Sequence, residues 1–178
     1  MAARVKRSTP LLALGLGLLF IEGCYMVTQP EAIVNFLTGG DDELAEALRR
    51  AADDWAAHGL DIANYVTIDD GRGGLPVRFA SKRAIEKACP NAQAINLSGC
   101  TYWAMGDWLE MLIAEDFRGR PADLEYMVKH ELIHTLVPEA PHTPGDGVFS
   151  ESRTVDTITP ADLRNLARYT RVLTQSEL

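Results

Sequence analysis

"GRPADLEYMVKHELIHTLVPEAPH", residues 119–142, is the stretch on which the fold turns. Its spacing predicts a helix from Pro121 to about Leu136. Pro121 suits the first turn, where its missing N–H costs nothing. Asp123 and Glu125 favour the positive end of the helix dipole. Leu124, Met127, Val128, Leu132 and Leu136 recur at helical spacing and supply an apolar face. Pro138 cannot continue the helix, and it disfavours helical geometry at Val137.

The same helix carries chemistry. His130 and His134 are four residues apart, so both rings project from one side, about one turn apart. Two imidazoles in that arrangement can bind one metal ion, and Glu131 lies beside the first. Zinc lowers the pKa of a bound water from 15.7 to about 7, and a nearby carboxylate can take its proton. H-E-x-x-H on a helix therefore reads as a metal-dependent hydrolase. A catalytic zinc takes three protein ligands and keeps one open position. Three residues are candidates for the third ligand, in this order: His142, just past the Pro-rich turn; Glu151, about twenty residues downstream of the helix motif; and Asp146.

Other elements can be read outward from this helix. Asp41 or Asp42 can cap a helix over "ELAEALRRAADDWAAH", with Leu44, Leu48, Ala51, Ala52 and Trp55 on one face and Gly59 at its end. "IANYVTI" (62–68) and "LPVRFA" (75–80) read as strands, with "DDGRGG" as a turn between them. "WLEMLIAEDF" (108–117) reads as another strand, although its ten residues would also suit a buried helix. Residues 81–103 read as a short helix followed by an irregular loop. A last helix opens at "TPADLRNLARY" (159–169), where Thr159 caps and Asp162 stands three residues on, as in a capping box. Leu163, Leu166, Ala167 and Thr170 give it a core-facing stripe.

"HELIHTLVPEAPHTPGDGVFSESRTVDTITPADLRNLARY" resembles the catalytic end of a metzincin zinc metalloprotease, the matrixin-like group in particular. Those proteins run from the zinc helix to a third histidine, then a tight Met-turn, then a capped C-terminal helix. The resemblance implies a zincin-like α/β (α+β) fold: a small twisted, mostly parallel sheet with an N-terminal helix, the zinc-binding helix and a C-terminal helix. It implies Zn2+ on His130, His134 and His142, with Glu131 as general base and then proton donor in peptide-bond hydrolysis. This chain departs from the H-E-x-x-H-x-x-G-x-x-H pattern. Val137 stands at the glycine position, Ala140 at the third histidine, and His142 comes two residues late. "VPEAP" would make the bend that glycine normally permits, and Phe149 takes the place of the Met-turn methionine. In a gluzincin-like alternative Glu151 is the third ligand; otherwise Glu151 and Ser150 line the cleft or steady a ligand histidine.

The N-terminus has a different character. Arg4, Lys6 and Arg7 precede an apolar run from Leu11 to Ile21 that is shorter than the roughly 20 residues of a spanning helix. That layout is a secretory signal peptide. "FIEGCYM" resembles the lipobox of bacterial lipoproteins, which would put lipid on Cys24 and hold the domain at a membrane surface. Export makes Cys89 and Cys100 an expected disulfide. The expected organisation is a signal peptide (1–23), a lipid-anchored tether (24–40) and a catalytic domain (41–178). The chain has 178 residues, room for one core, and a net charge of −8, which disfavours nucleic acid as a partner. The expected partners are a peptide or protein substrate and, through lipid, the cell-envelope membrane. The alternative is an envelope lipoprotein whose zinc site is structural or vestigial, with a binding or assembly role.

Overall fold

A computed structural model describes residues 34–90, 98–104, 107–137, 140–150 and 155–167. The proposed signal peptide, Cys24 and Glu151 lie outside these residues, as does Thr170. The fold is mixed α/β. Its elements run β1 (Val34–Leu37), α1 (Asp42–Ala57), β2 (Val66–Ile68), β3 (Leu75–Ala80), α2 (Lys82–Ala88), β4 (Gly99–Ala104), β5 (Asp107–Ala114), α3 (Pro121–Leu136) and α4 (Pro160–Leu166). Among the described residues the strands form one sheet in the order β2-β1-β3-β5-β4. Every pairing is parallel except that of β4 with β5.

Side chains alternate across a sheet, so each face can be read from the register. Val77 pairs with Met111, Phe79 with Ile113, Thr101 with Met111 and Gly99 with Ile113. These residues share one face. It is the face toward α3, because Thr101 bonds Glu131 and the Gly99 backbone abuts Met127. Cys100 points the other way and is disulfide-bonded to Cys89, the residue that ends α2. Met111, Leu112 and Ile113 are all buried because helices cover both faces of β5.

α1 and α3 pack side by side. Asp41 accepts the Leu44 N–H at 3.1 Å and starts α1, and Leu44, Leu48, Ala51, Ala52 and Trp55 are buried as their spacing requires. The Trp55 indole N–H donates to the Lys129 carbonyl of α3 at 3.2 Å. Lys129 is itself buried, paired with Asp54 of α1 and, at 2.8 Å, with Glu125. The two carboxylates supply what that ammonium loses on leaving water.

Three expectations are corrected. The tether was expected to run to residue 40, yet Val34–Leu37 is a strand between β2 and β3. Polar Asn35 and the nearby Gly39-Gly40 pair disguise it. The Asn35 side chain is buried but satisfied: it donates to the Arg72 carbonyl at 3.0 Å and accepts from Thr67 at 3.2 Å. The strand expected over 62–68 is confined to Val66–Ile68, where β1 offers a partner; Ala63–Tyr65 is a single 3-10 turn. The irregular loop expected up to residue 103 ends instead in β4, whose "GCTYWA" sequence has no clean alternation and is held by pairing with β5.

The disulfide ties α2 to edge strand β4 across 11 residues. Cys100→Ser is expected to cost about 2–3 kcal/mol by the chain entropy of so short a loop. Urea unfolding with and without reductant checks this: a wild type insensitive to reductant would refute it.

Candidate metal centre

α3 presents His130 and His134 on one side, one turn apart, as the sequence required. The third histidine follows the segment expected to make the bend without glycine. Val137 ends the helix at φ −135°, a conformation open to any residue, and its N–H still bonds the Ile133 carbonyl at 2.7 Å. Val137 itself is therefore not left-handed, so the helix end does not call for glycine at that position; residues 138 and 139 lie outside the described residues. The Ala140 N–H closes back on the Val137 carbonyl at 3.0 Å, two residues before His142.

The three rings converge. Nε2 of His130 lies 3.2 Å from that of His134 and 3.2 Å from that of His142, and the last two are 3.1 Å apart. His130 Nδ1 lies 3.0 Å from the Val148 carbonyl oxygen. A carbonyl can only accept, so Nδ1 carries the proton and the Nε2 lone pair faces inward. One proton can link two inward nitrogens but cannot satisfy three, whereas a cation can. Tetrahedral ligands roughly 2.0–2.1 Å from a zinc ion would stand about 3.3–3.4 Å apart, close to the separations here. The residues present fit a metal ion held by three imidazoles with one position open.

Burial reinforces that fit. His130 is held at a pKa of about 4, chiefly by desolvation and then by nearby His142, against a raising contribution from the Val148 carbonyl. His134 is lowered to about 3 by desolvation and by its two histidine neighbours. Both are therefore neutral, metal-ready imidazoles near pH 7. Glu131 moves the other way, to about 7, because burial disfavours its charge more than the Thr101 hydrogen bonds favour it.

A floor lies beneath the rings. The Phe149 ring centroid is 5.3 Å from that of His130, 5.0 Å from that of His134 and 5.3 Å from that of His142. The expectation that Phe149 occupies the place under the site agrees with this geometry. The turn that carries it closes where the Thr143 N–H bonds the Phe149 carbonyl at 2.7 Å.

α4 holds both halves of this arrangement. Fully buried Asp162 accepts the Val148 N–H at 3.0 Å and the Phe149 N–H at 3.2 Å. It also completes the capping box with Thr159. Gly147 makes that approach possible, since a Cβ there would stand 2.3 Å from an Asp162 oxygen. Asn165 donates to the Pro141 carbonyl at 2.7 Å, steadying the residue before His142.

Of the three candidate third ligands, His142 joins His130 and His134, and Asp146 does not belong to the group. Sequence reasoning missed Thr101, whose hydroxyl donates to Glu131 Oε2 at 2.8 Å, because nothing local marks that contact. It found Asp162 as a cap but not as the support of the turn below the histidines. A comparison with protein-family models, curated proteins and solved structures returned no match.

Proposed function

We propose that this chain is a metal-dependent hydrolase whose ion is zinc. The narrower reading is a metzincin-type peptidase of the matrixin-like group, with a zincin-like arrangement of sheet and helices. One observation carries it: three histidine Nε2 atoms within 3.1–3.2 Å of one another, brought from a helix and from the segment beyond it. Three imidazoles suit zinc, and three protein ligands leave a position for water or substrate.

When bound, zinc would bring the pKa of a water near 7 and polarise a carbonyl. The rest falls to the chain. His130, His134 and His142 hold the ion, and the Val148 carbonyl keeps His130 in the right tautomer. Phe149 seals the site from below. Glu131 takes a proton at its carboxylate and returns it to the leaving amine. A peptide is favoured as substrate because β4 lies at the edge of the sheet and carries Thr101 against Glu131. An exposed edge can pair with an extended peptide backbone. The Cys89–Cys100 disulfide supports export, and lipid on Cys24 would hold the enzyme at a membrane surface in the cell envelope.

The test is metal analysis of the purified chain together with cleavage of a quenched-fluorescence peptide library. One bound zinc and cleavage abolished by chelator are expected. One bound zinc without cleavage would favour a binding or assembly role for an envelope lipoprotein. His142→Ala is expected to weaken zinc binding by more than ~100-fold, beyond what loss of an outer-shell partner costs. A zinc affinity unchanged in that variant would exclude His142 as a ligand.

A further inference from the structure

Thr101 lies one residue past disulfide-bonded Cys100, on the face of β4 turned to α3. Its hydroxyl has one proton to give. The Glu131 Oε2 atom at 2.8 Å is the closer acceptor, and the Glu131 main-chain carbonyl is 3.3 Å away. That carbonyl also accepts from Thr135 at 3.1 Å, so the carboxylate is the partner that needs Thr101. Gly99, two residues earlier, leaves room for the other oxygen. A Cβ there would stand 2.8 Å from Glu131 Oε1 and 2.5 Å from the Met127 sulfur. The Thr101 hydroxyl thus donates to one carboxylate oxygen, the Thr101 main chain also bonds the carboxylate, and the other oxygen lies close to Gly99.

This placement matters because Glu131 is buried, only 4% exposed, and adjoins His130 in sequence, yet it is not part of the group formed by the three histidines. A carboxylate beside a three-imidazole cation is a ready fourth ligand, and a fourth protein ligand turns an open site into a closed, structural one. We propose that Thr101, using the space left by Gly99, is a positioning residue that holds the Glu131 carboxylate on β4 and out of the coordination shell. The fourth position then stays open, and the carboxylate keeps one orientation from which to accept a proton. This inference rests on the reading of the three histidines as metal ligands.

Cobalt(II) in place of zinc tests it, because its visible absorption reports the ligand set without any substrate. Thr101→Val should bind one cobalt with a spectrum altered from that of the wild type. Thr101→Ser, which keeps the hydroxyl, should restore the wild-type spectrum. In a Glu131→Ala background, adding Thr101→Val should change nothing, since the effect travels through the carboxylate. On cleaved library peptides, Thr101→Val should lower kcat on the order of 10- to 100-fold with KM little changed, the effect of a misplaced reacting group. A Thr101→Val protein with wild-type spectrum and kcat would overturn the role of Thr101 and leave the metal reading standing. A Thr101→Ser protein as impaired as Thr101→Val would overturn it too. A wild type that takes up no cobalt would overturn the metal reading and this role together.

Discussion

Glu131→Gln is expected to keep its metal and to lose peptide cleavage by about 10²–10⁴-fold, the usual contribution of a general acid–base group. The substitution nearly preserves shape. The glutamine carbonyl can still accept from the Thr101 hydroxyl, now 2.8 Å from Oε2, so the side chain has a reason to stay on β4. The three histidine Nε2 atoms, 3.1–3.2 Å apart, do not depend on it. What disappears is the group that takes and returns a proton. Zinc content by elemental analysis and library cleavage together decide the matter, and full activity with full zinc would sink the mechanism.

The same variant has a pH signature in the metal-free chain. The Glu131 carboxyl is raised from 4.5 to about 7 by burial. Between those values the folded state binds the proton more tightly than the unfolded state. Its contribution to stability is therefore present below pH 4.5 and is lost as pH rises through about 7. Glutamine does not titrate, so Glu131→Gln should gain stability relative to the wild type across that window. Chemical unfolding at pH 5 and pH 8 measures the difference.

Asp162→Ala is expected to destabilise the protein by about 3–5 kcal/mol, because it leaves several buried donors without an acceptor at once. The Val148 N–H, the Phe149 N–H and the Thr159 N–H all end on this carboxylate, at 3.0, 3.2 and 2.9 Å. The loss reaches the three histidines, since Val148 supplies the carbonyl beside His130 and Phe149 lies beneath all three rings. Zinc affinity should fall roughly 10- to 100-fold, as for loss of other groups that orient a ligand. Asp162→Asn should sit between wild type and alanine: its amide oxygen still accepts, but its NH2 faces N–H groups. Thermal melts and zinc titration check both effects. A variant with unchanged melting and zinc affinity would show that α4 does not support the site.

The legible parts of the chain were those where a local rule operates. α3 could be read from Pro121, the apolar spacing and the imidazole pair at 130 and 134. α4 could be read from Thr159, Pro160 and Asp162, and the capping box forms as expected. β3 was legible from the alternation of Leu75, Val77 and Phe79, whereas the run that forms β5 also suited a buried helix, and pairing with β3 and β4 makes it a strand. β1 and β4 could not be read that way. β1 is four residues long and contains Asn35; β4 opens on Gly99 and Cys100. Each becomes a strand because a neighbour supplies hydrogen-bond partners, and that information lies in other parts of the chain.

The site divides in the same manner. His130, Glu131 and His134 needed only helical periodicity, because a 3.6-residue repeat places i and i+4 on one side whatever surrounds them. His142 ranked first of three candidate third ligands, but spacing alone could not show that its ring reaches the other two. Tertiary structure brings its ring to the other two, through a helix end at Val137 without left-handed geometry and an α4 that grips Pro141 and the turn at Val148–Phe149. Thr101 was invisible beforehand, since it lies 30 residues from Glu131 and meets it only when β4 pairs with β5 and α3 packs on that face. The sequence by itself determined the helix and the placing of His130 and His134 on one side of it, because those follow from local geometry. Only the tertiary structure decided how the site is completed, because contacts between distant segments depend on how the whole chain packs.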